Sequence, residues 1–193
     1  MNFYAGISLY YSKGSLVENC SMIDNEGPGV WLRTHTQNTT IRNNILQRND
    51  GFALRVAEVE NNIIESNTLT QNDRGIYVHS NSTGNVIKDN TVNDNHFEGI
   101  VVIESSANTF SANYLARNLT DGLALYESSG NTIQGNYIRH HPEKAVFLSE
   151  SHNNILTGNF ITKDQAIDRL TKGGSYLMES EQAQLVELYV YRD

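Results

Sequence analysis

The sequence predicts an all-β chain: a right-handed parallel β-helix of about seven coils, each about 23 residues long. Three observations predict it. Gly6, Gly29, Gly51, Gly75, Gly99 and Gly122 recur at intervals of 22 to 24 residues, each opening a short apolar stretch, and Ala145 takes the same place one interval later. Cys20, Asn44, Asn67, Asn90, Asn113, Asn136 and Asn159 keep stricter time, at intervals of 23 or 24. Between these markers the apolar residues alternate with a period of two, and no helical period appears between Gly6 and Thr162. A fixed repeat of this length marks a solenoid, whose coils bury their apolar positions only by stacking.

Each coil reads as three strands. After the glycine come inward pairs, Ile7/Leu9, Val30/Leu32, Phe52/Leu54, Ile76/Val78, Ile100/Val102, Leu123/Leu125 and Val146/Leu148, the alternation of a half-buried strand. A polar corner follows, then the apolar column Val17, Ile41, Ile64, Ile87, Phe110, Ile133 and Leu156. Two residues beyond the Asn marker lies a third column, Met22, Leu46, Leu69, Val92, Leu115, Ile138 and Ile161. Asparagine suits tight corners, because it tolerates left-handed backbone and bonds nearby main chain. Stacked copies can also bond one another in ladders. Two further columns run Asn25, Asn49, Asn72, Asn95, Asn118, His141 and Asn62, Asn85, Asn108, Asn131, Asn154. Strict phase argues against reading this richness in Asn as disorder. Leucine-rich repeats share the period but need a leucine framework and a returning helix or turn.

Residues 1–164 are assigned to the coils and 165–193 to a C-terminal closing segment, in which Gln184–Tyr191 alternates like a final strand. The chain enters in phase without a visible cap or leader. A longer protein is therefore expected, since uncapped strand edges are exposed. A monomer or part of such a chain is expected. The net charge is −8 and no basic stripe is present, which disfavours nucleic acid as a partner. No apolar run reaches membrane-spanning length. One cysteine, Cys20, excludes an internal disulfide framework.

Function in such a fold is expected on the outward face of the glycine-led strands. Aligned on the glycines, the first outward column reads Ser8, Trp31, Ala53, Tyr77, Val101, Ala124, Phe147, and the second Tyr10, Arg33, Arg55, His79, Ile103, Tyr126, Ser149. Arg33, Arg55 and His79 then stand on consecutive coils. A guanidinium pair suits a carboxylate-bearing sugar, and a histidine next in line suits proton transfer. Trp31, Tyr77, Tyr10 and His35 complete a substrate-binding set; His79, Arg55 and Tyr126 make a catalytic one. Solvated charges and aromatics on an exposed β face remain the plain alternative. The following corner reads Tyr11, Thr34, Val56, Ser80, Glu104, Glu127, Glu150. The last three could share a cation such as Ca²⁺ or splay into solvent. No cofactor is required by this chemistry. Asp24, Asp50 and Asp121 precede coil-opening glycines and read as turn residues.

The stretch from Asn118 to Asn136, with Thr120-Asp121-Gly122, Leu125-Tyr126-Glu127-Ser128 and Gly135-Asn136 in that order, resembles the β-helix of the periplasmic mannuronan C5-epimerases of the AlgG type. Val186–Tyr189 is similar to the end of that helix. Elsewhere the pattern is the one shared by carbohydrate-binding and sugar-hydrolase β-helices, NosD-type proteins and polysaccharide lyases. The resemblance implies an extracytoplasmic protein acting on a uronate polymer. The implied chemistry abstracts the C5 proton beside a cation-neutralised carboxylate and returns one from the opposite face. That family's base lies in an Asp-Pro-His-Asp motif, which is absent here. The nearest counterparts are Arg33-Thr34-His35 and His79.

Overall fold

The computed structural model describes residues 5–162. They form three seven-stranded, all-parallel sheets, and no helix occurs among them. The first sheet comprises Ile7–Tyr10, Val30–Arg33, Phe52–Ala57, Arg74–His79, Ile100–Ile103, Leu123–Tyr126 and Val146–Ser149. The second runs from Leu16–Glu18 to Ile155–Thr157, and the third from Ser21–Ile23 to Phe160–Ile161. Strand order in every sheet is coil order, so the chain is the expected parallel β-helix. The proposed closing segment lies outside the described residues.

The three predicted apolar columns meet in one core. Val30, Leu32, Ile76, Val78, Ile100 and Val102 from the first sheet face Ile41, Ile64, Ile87 and Phe110 from the second and Leu46, Leu69, Val92 and Leu115 from the third. Burying each such side chain contributes about 1.5–3 kcal/mol.

The corners are held by three buried amide ladders. Asn90 illustrates the unit. Its side-chain amide donates to Asn113 Oδ1 at 3.0 Å, to the Ile64 carbonyl at 2.9 Å and to the Lys88 carbonyl at 2.9 Å. Its own Oδ1 accepts from the backbone and side chain of Asn67, both at 3.0 Å. The same links run along Asn44–Asn159, Asn49–Asn118 and Asn62–Asn131. One expectation is corrected here. The ladder asparagines are not themselves left-handed; the residue before each one is, as at Asn43, Ser66, Asp89 and Ala112, with φ of 55°, 56°, 55° and 52°. The preceding residue makes the bend, which aims the Asn side chain inward.

A second correction concerns the third coil. Val30 pairs with Leu54, Trp31 with Arg55 and Arg33 with Ala57, two residues out from the glycine-based alignment. Gly51 is therefore not the coil-opening glycine. It has φ +110 and open space around it, whereas the Gly29 side abuts the Ala53 carbonyl. A two-residue shift preserves which side chains point outward. It changes their neighbours, and it moves Val56 from the corner into the core.

Candidate functional site

The outward face of the first sheet carries a band of cations and aromatic rings over its first five coils. In the observed register one column reads Ser8, Trp31, Arg55, Tyr77, Val101, and the other places Tyr10, Arg33, Ala57 and His79 side by side. Arg55 thus sits between Trp31 and Tyr77 rather than between Arg33 and His79. Both guanidinium groups pack on the Trp31 ring, with Arg33 Cζ 4.5 Å and Arg55 Cζ 4.6 Å from it. Arg33 also covers Tyr10 at 4.9 Å, and Arg55 reaches Phe52 at 5.8 Å. Arg74 continues the band beside Phe97 at 4.6 Å, tied to Glu98 by a 2.7 Å ion pair. Among the described residues neither Arg33 nor Arg55 makes an ion pair with a carboxylate. Cations held on π faces without an acidic partner remain available to an external anion.

His79 is locked at the end of this band. Its ring stacks on Tyr77 at 4.2 Å, and Tyr77 stacks on Phe52 at 4.6 Å. Arg55 Nε donates to His79 Nε2 at 2.9 Å, and His79 Nδ1 lies 2.7 Å from Ser80 Oγ. A guanidinium has only donors, so Nε2 is the acceptor and the proton resides on Nδ1. Burial, with the Arg55 charge adding to it, lowers the His79 pKa to about 4 against a weaker pull from Glu58. The imidazole is neutral at physiological pH. Burial also lowers the pKa of Arg55 and raises that of Tyr77.

The remaining expected residues fall as follows. His35 stands at the corner with φ 57°, exposed, its ring 5.4 Å from Tyr11. Tyr126 lies two coils beyond His79, about 10 Å along the axis at ~4.8 Å per coil, with its ring against Phe147 at 5.4 Å. Burial is the main cause of its raised pKa, reinforced by Asp121, Glu98 and Glu143. Glu104, Glu127 and Glu150 occupy successive corners with φ of 48°, 48° and 49°. Their side chains are exposed, and no group of three His, Cys, Asp or Glu among the described residues is placed to hold a metal ion.

One group escaped sequence reasoning. Asp121, taken as a turn residue, is 4% exposed and accepts the Lys144 backbone N–H at 2.8 Å. Burial pushes its carboxyl up to about 6, opposed by Lys144. The available signal was its column. Arg74, Glu98, Asp121 and Lys144 each precede the coil-opening position, so two stacked carboxylates lie between two cations. A depression of about 400 Å³ lined by Arg48, Asn49, Asp50, Gln71, Asp73 and His96 lies at the corner leading into the first-sheet strands, next to Arg74 and Phe97.

With this geometry in view, comparison with known proteins gives the family. Periplasmic copper-binding proteins (NosD) match residues 1–120 and 79–187. The chain belongs to the NosD family. None of the curated proteins compared matches it. Among solved structures, the periplasmic alginate epimerase AlgG superposes with a TM-score of 0.75 at 19% identity, over 90% of this chain and 46% of that one. The A-module of the Azotobacter vinelandii mannuronan C-5 epimerase AlgE6 gives 0.66 at 18%, over 93% and 56%. DFA-IIIase from Arthrobacter chlorophenolicus A6, without its lid, gives 0.67 at 14%, over 92% and 48%. These likenesses establish the shared β-helix. The chain spans about half the length of each of these structures. The copper binding named for the NosD family finds no matching three-donor cluster among the described residues. No helix there is long and apolar enough to cross a membrane.

Proposed function

We propose that this NosD-family chain is an extracytoplasmic, polysaccharide-acting β-helix protein whose first-sheet face binds a uronate polymer. The observation that carries the reading is the Arg33–Trp31–Arg55 cluster, two guanidinium groups packed on one aromatic ring with no acidic partner among the described residues. A sugar carboxylate between them would neutralise the mutual repulsion of the guanidinium groups, with ring faces and edges of Tyr10, Trp31 and Phe52 beside the apolar side of the sugars. The location follows the family's description as periplasmic, and the polymer class follows the neighbouring epimerases.

The finer reading is proton exchange at C5, as in a mannuronan epimerase. Arg33 and Arg55 would hold the carboxylate and so stabilise the carbanion formed when a base removes the C5 proton. His79 Nε2 is the candidate base. Tyr77, stacked on His79, and Tyr126, about 10 Å further along the axis, are the candidates to return a proton. A binding-only role is favoured by a specific observation: Nε2 is already bonded to Arg55 and its basicity is low.

Purified protein incubated with polymannuronate separates the readings. Proton NMR of the polymer should show guluronate signals if C5 is inverted, whereas unsaturated chain ends in the ultraviolet would identify a lyase. Saturable binding with neither product identifies a binding module. An absence of binding overturns the proposal.

A further inference from the structure

We infer that Arg55 is a carboxylate-operated latch on His79: in the free protein its Nε–H occupies the His79 Nε2 lone pair, and a uronate carboxylate seated between Arg33 and Arg55 draws the guanidinium away and frees that nitrogen. The inference rests on the uronate-binding reading above and deepens it, by making the base appear only when a charged sugar is in place.

Three features of the geometry carry it. The first is that His79 is fixed and Arg55 is not. Stacking on Tyr77 at 4.2 Å and the Nδ1 contact with Ser80 Oγ at 2.7 Å hold the imidazole at both its face and its far edge. Ser80 itself sits in a left-handed corner with φ 55°. Among the described residues Arg55 has one directional bond, the 2.9 Å contact to Nε2; its other contacts there include ring faces at 4.6 and 5.8 Å, which tolerate sliding. The second is the strength of the competing acceptors. A guanidinium–carboxylate bond is charged on both sides and can be bidentate, whereas the bond to the imidazole is charged on the donor side only, so an arriving carboxylate outcompetes the imidazole. The third is repulsion: Arg33 packs on the same indole and its charge acts on Arg55, which an anion bound by both relieves.

The groups facing His79 are few. Arg55 and Glu58 approach from the preceding coil, Tyr77 and Ser80 belong to its own, and Glu104 from the next coil acts on Tyr77. Release of Arg55 removes the bond that holds the lone pair and the nearest positive charge, while Glu58 remains. A proton arriving at Nε2 then leaves an imidazolium with Nδ1–H still on Ser80 and Nε2–H facing the sugar. Ser80 is on this account a positioning residue that sets the tautomer.

The test is nitrogen NMR of the full chain labelled at histidine, titrated with pH in the presence of mannuronate trimer or, as control, neutral mannose trimer. Mannuronate should remove the hydrogen-bonded signature at Nε2 and raise the His79 midpoint by about one pH unit, and the neutral trimer should leave both unchanged. In Arg55→Met, which keeps the packing volume, the midpoint should already be raised without sugar and should no longer respond to it. Mannuronate binding with an unmoved His79 signal would overturn the latch and leave the binding site standing. Failure of mannuronate to bind at all would overturn both. An Arg55→Met midpoint equal to wild type would overturn the latch alone.

Discussion

Asp121 and the ladder asparagines show how single residues hold this molecule together. The Asp121 carboxyl has a folded pKa of about 6 against 3.8 when free. A raised carboxyl favours the protonated fold, so its contribution is complete below about pH 4 and is lost as pH climbs through 6. The loss is on the order of 3 kcal/mol at most. His79 works in the opposite sense: its contribution is complete above pH 6.5 and is lost as pH falls through about 4. Urea unfolding of wild type and Asp121→Asn between pH 4 and 7 should therefore show the variant gaining relative stability as pH rises. Parallel curves would contradict the assignment. Asn90→Ala strips partners from the Ile64 and Lys88 carbonyls and from the neighbouring amides. It should cost roughly 3–5 kcal/mol, read as a lowered urea midpoint. The identity and spacing of these asparagines were plain in the sequence. Their backbone role was not, because a period alone does not say which of two adjacent corner residues takes the left-handed bend.

Whole strands were legible as well, and their register less so. The inward columns of all three sheets fall where alternation placed them except in the third coil, where Leu54 and Val56 rather than Phe52 and Leu54 fill the core. The third coil was misaligned because Gly51 mimics the marker glycine. The true counterpart, Ala53, keeps a small side chain there, and Asn49, four residues before it, is the more faithful guide. That shift moves Arg55 out of the His79 column and into that of Trp31 and Tyr77, from which its Nε reaches His79 diagonally on the next coil. Close approach explains the genuine markers: a Cβ on Gly99 would stand 2.6 Å from the Gly122 carbonyl and from Asn118 Nδ2. Neither atom can move without breaking a ladder or strand bond. Gly99→Ala should lower stability by about 1–3 kcal/mol, with the loss visible as a reduced urea midpoint. An unchanged midpoint would mean the coils are less tightly stacked than described.

Across the whole molecule, the first-sheet face is electrically divided. Arg33, Arg55 and Arg74 mark the coils at one end, while Glu104, Glu127 and Glu150 edge the other. The net charge of −8 hides this division, and only stacking makes it visible. An anionic polymer should therefore engage the cationic coils and be repelled from the acidic ones. Exchanging Glu104, Glu127 and Glu150 together for glutamine should tighten binding of long mannuronate oligomers several-fold, leave a trimer unaffected, and weaken the salt dependence of neither. The β-helix, its core and the cationic face could be anticipated from residues alone; the Arg55–His79 bond and buried Asp121 needed three-dimensional neighbours.

The most direct measurement is a crystal structure of the chain soaked with a mannuronate tetramer. The account predicts sugar density along Tyr10, Trp31 and Phe52, with one carboxylate between the Arg33 and Arg55 guanidinium groups. Ordered sugar on another face, with that pair left empty, would contradict it.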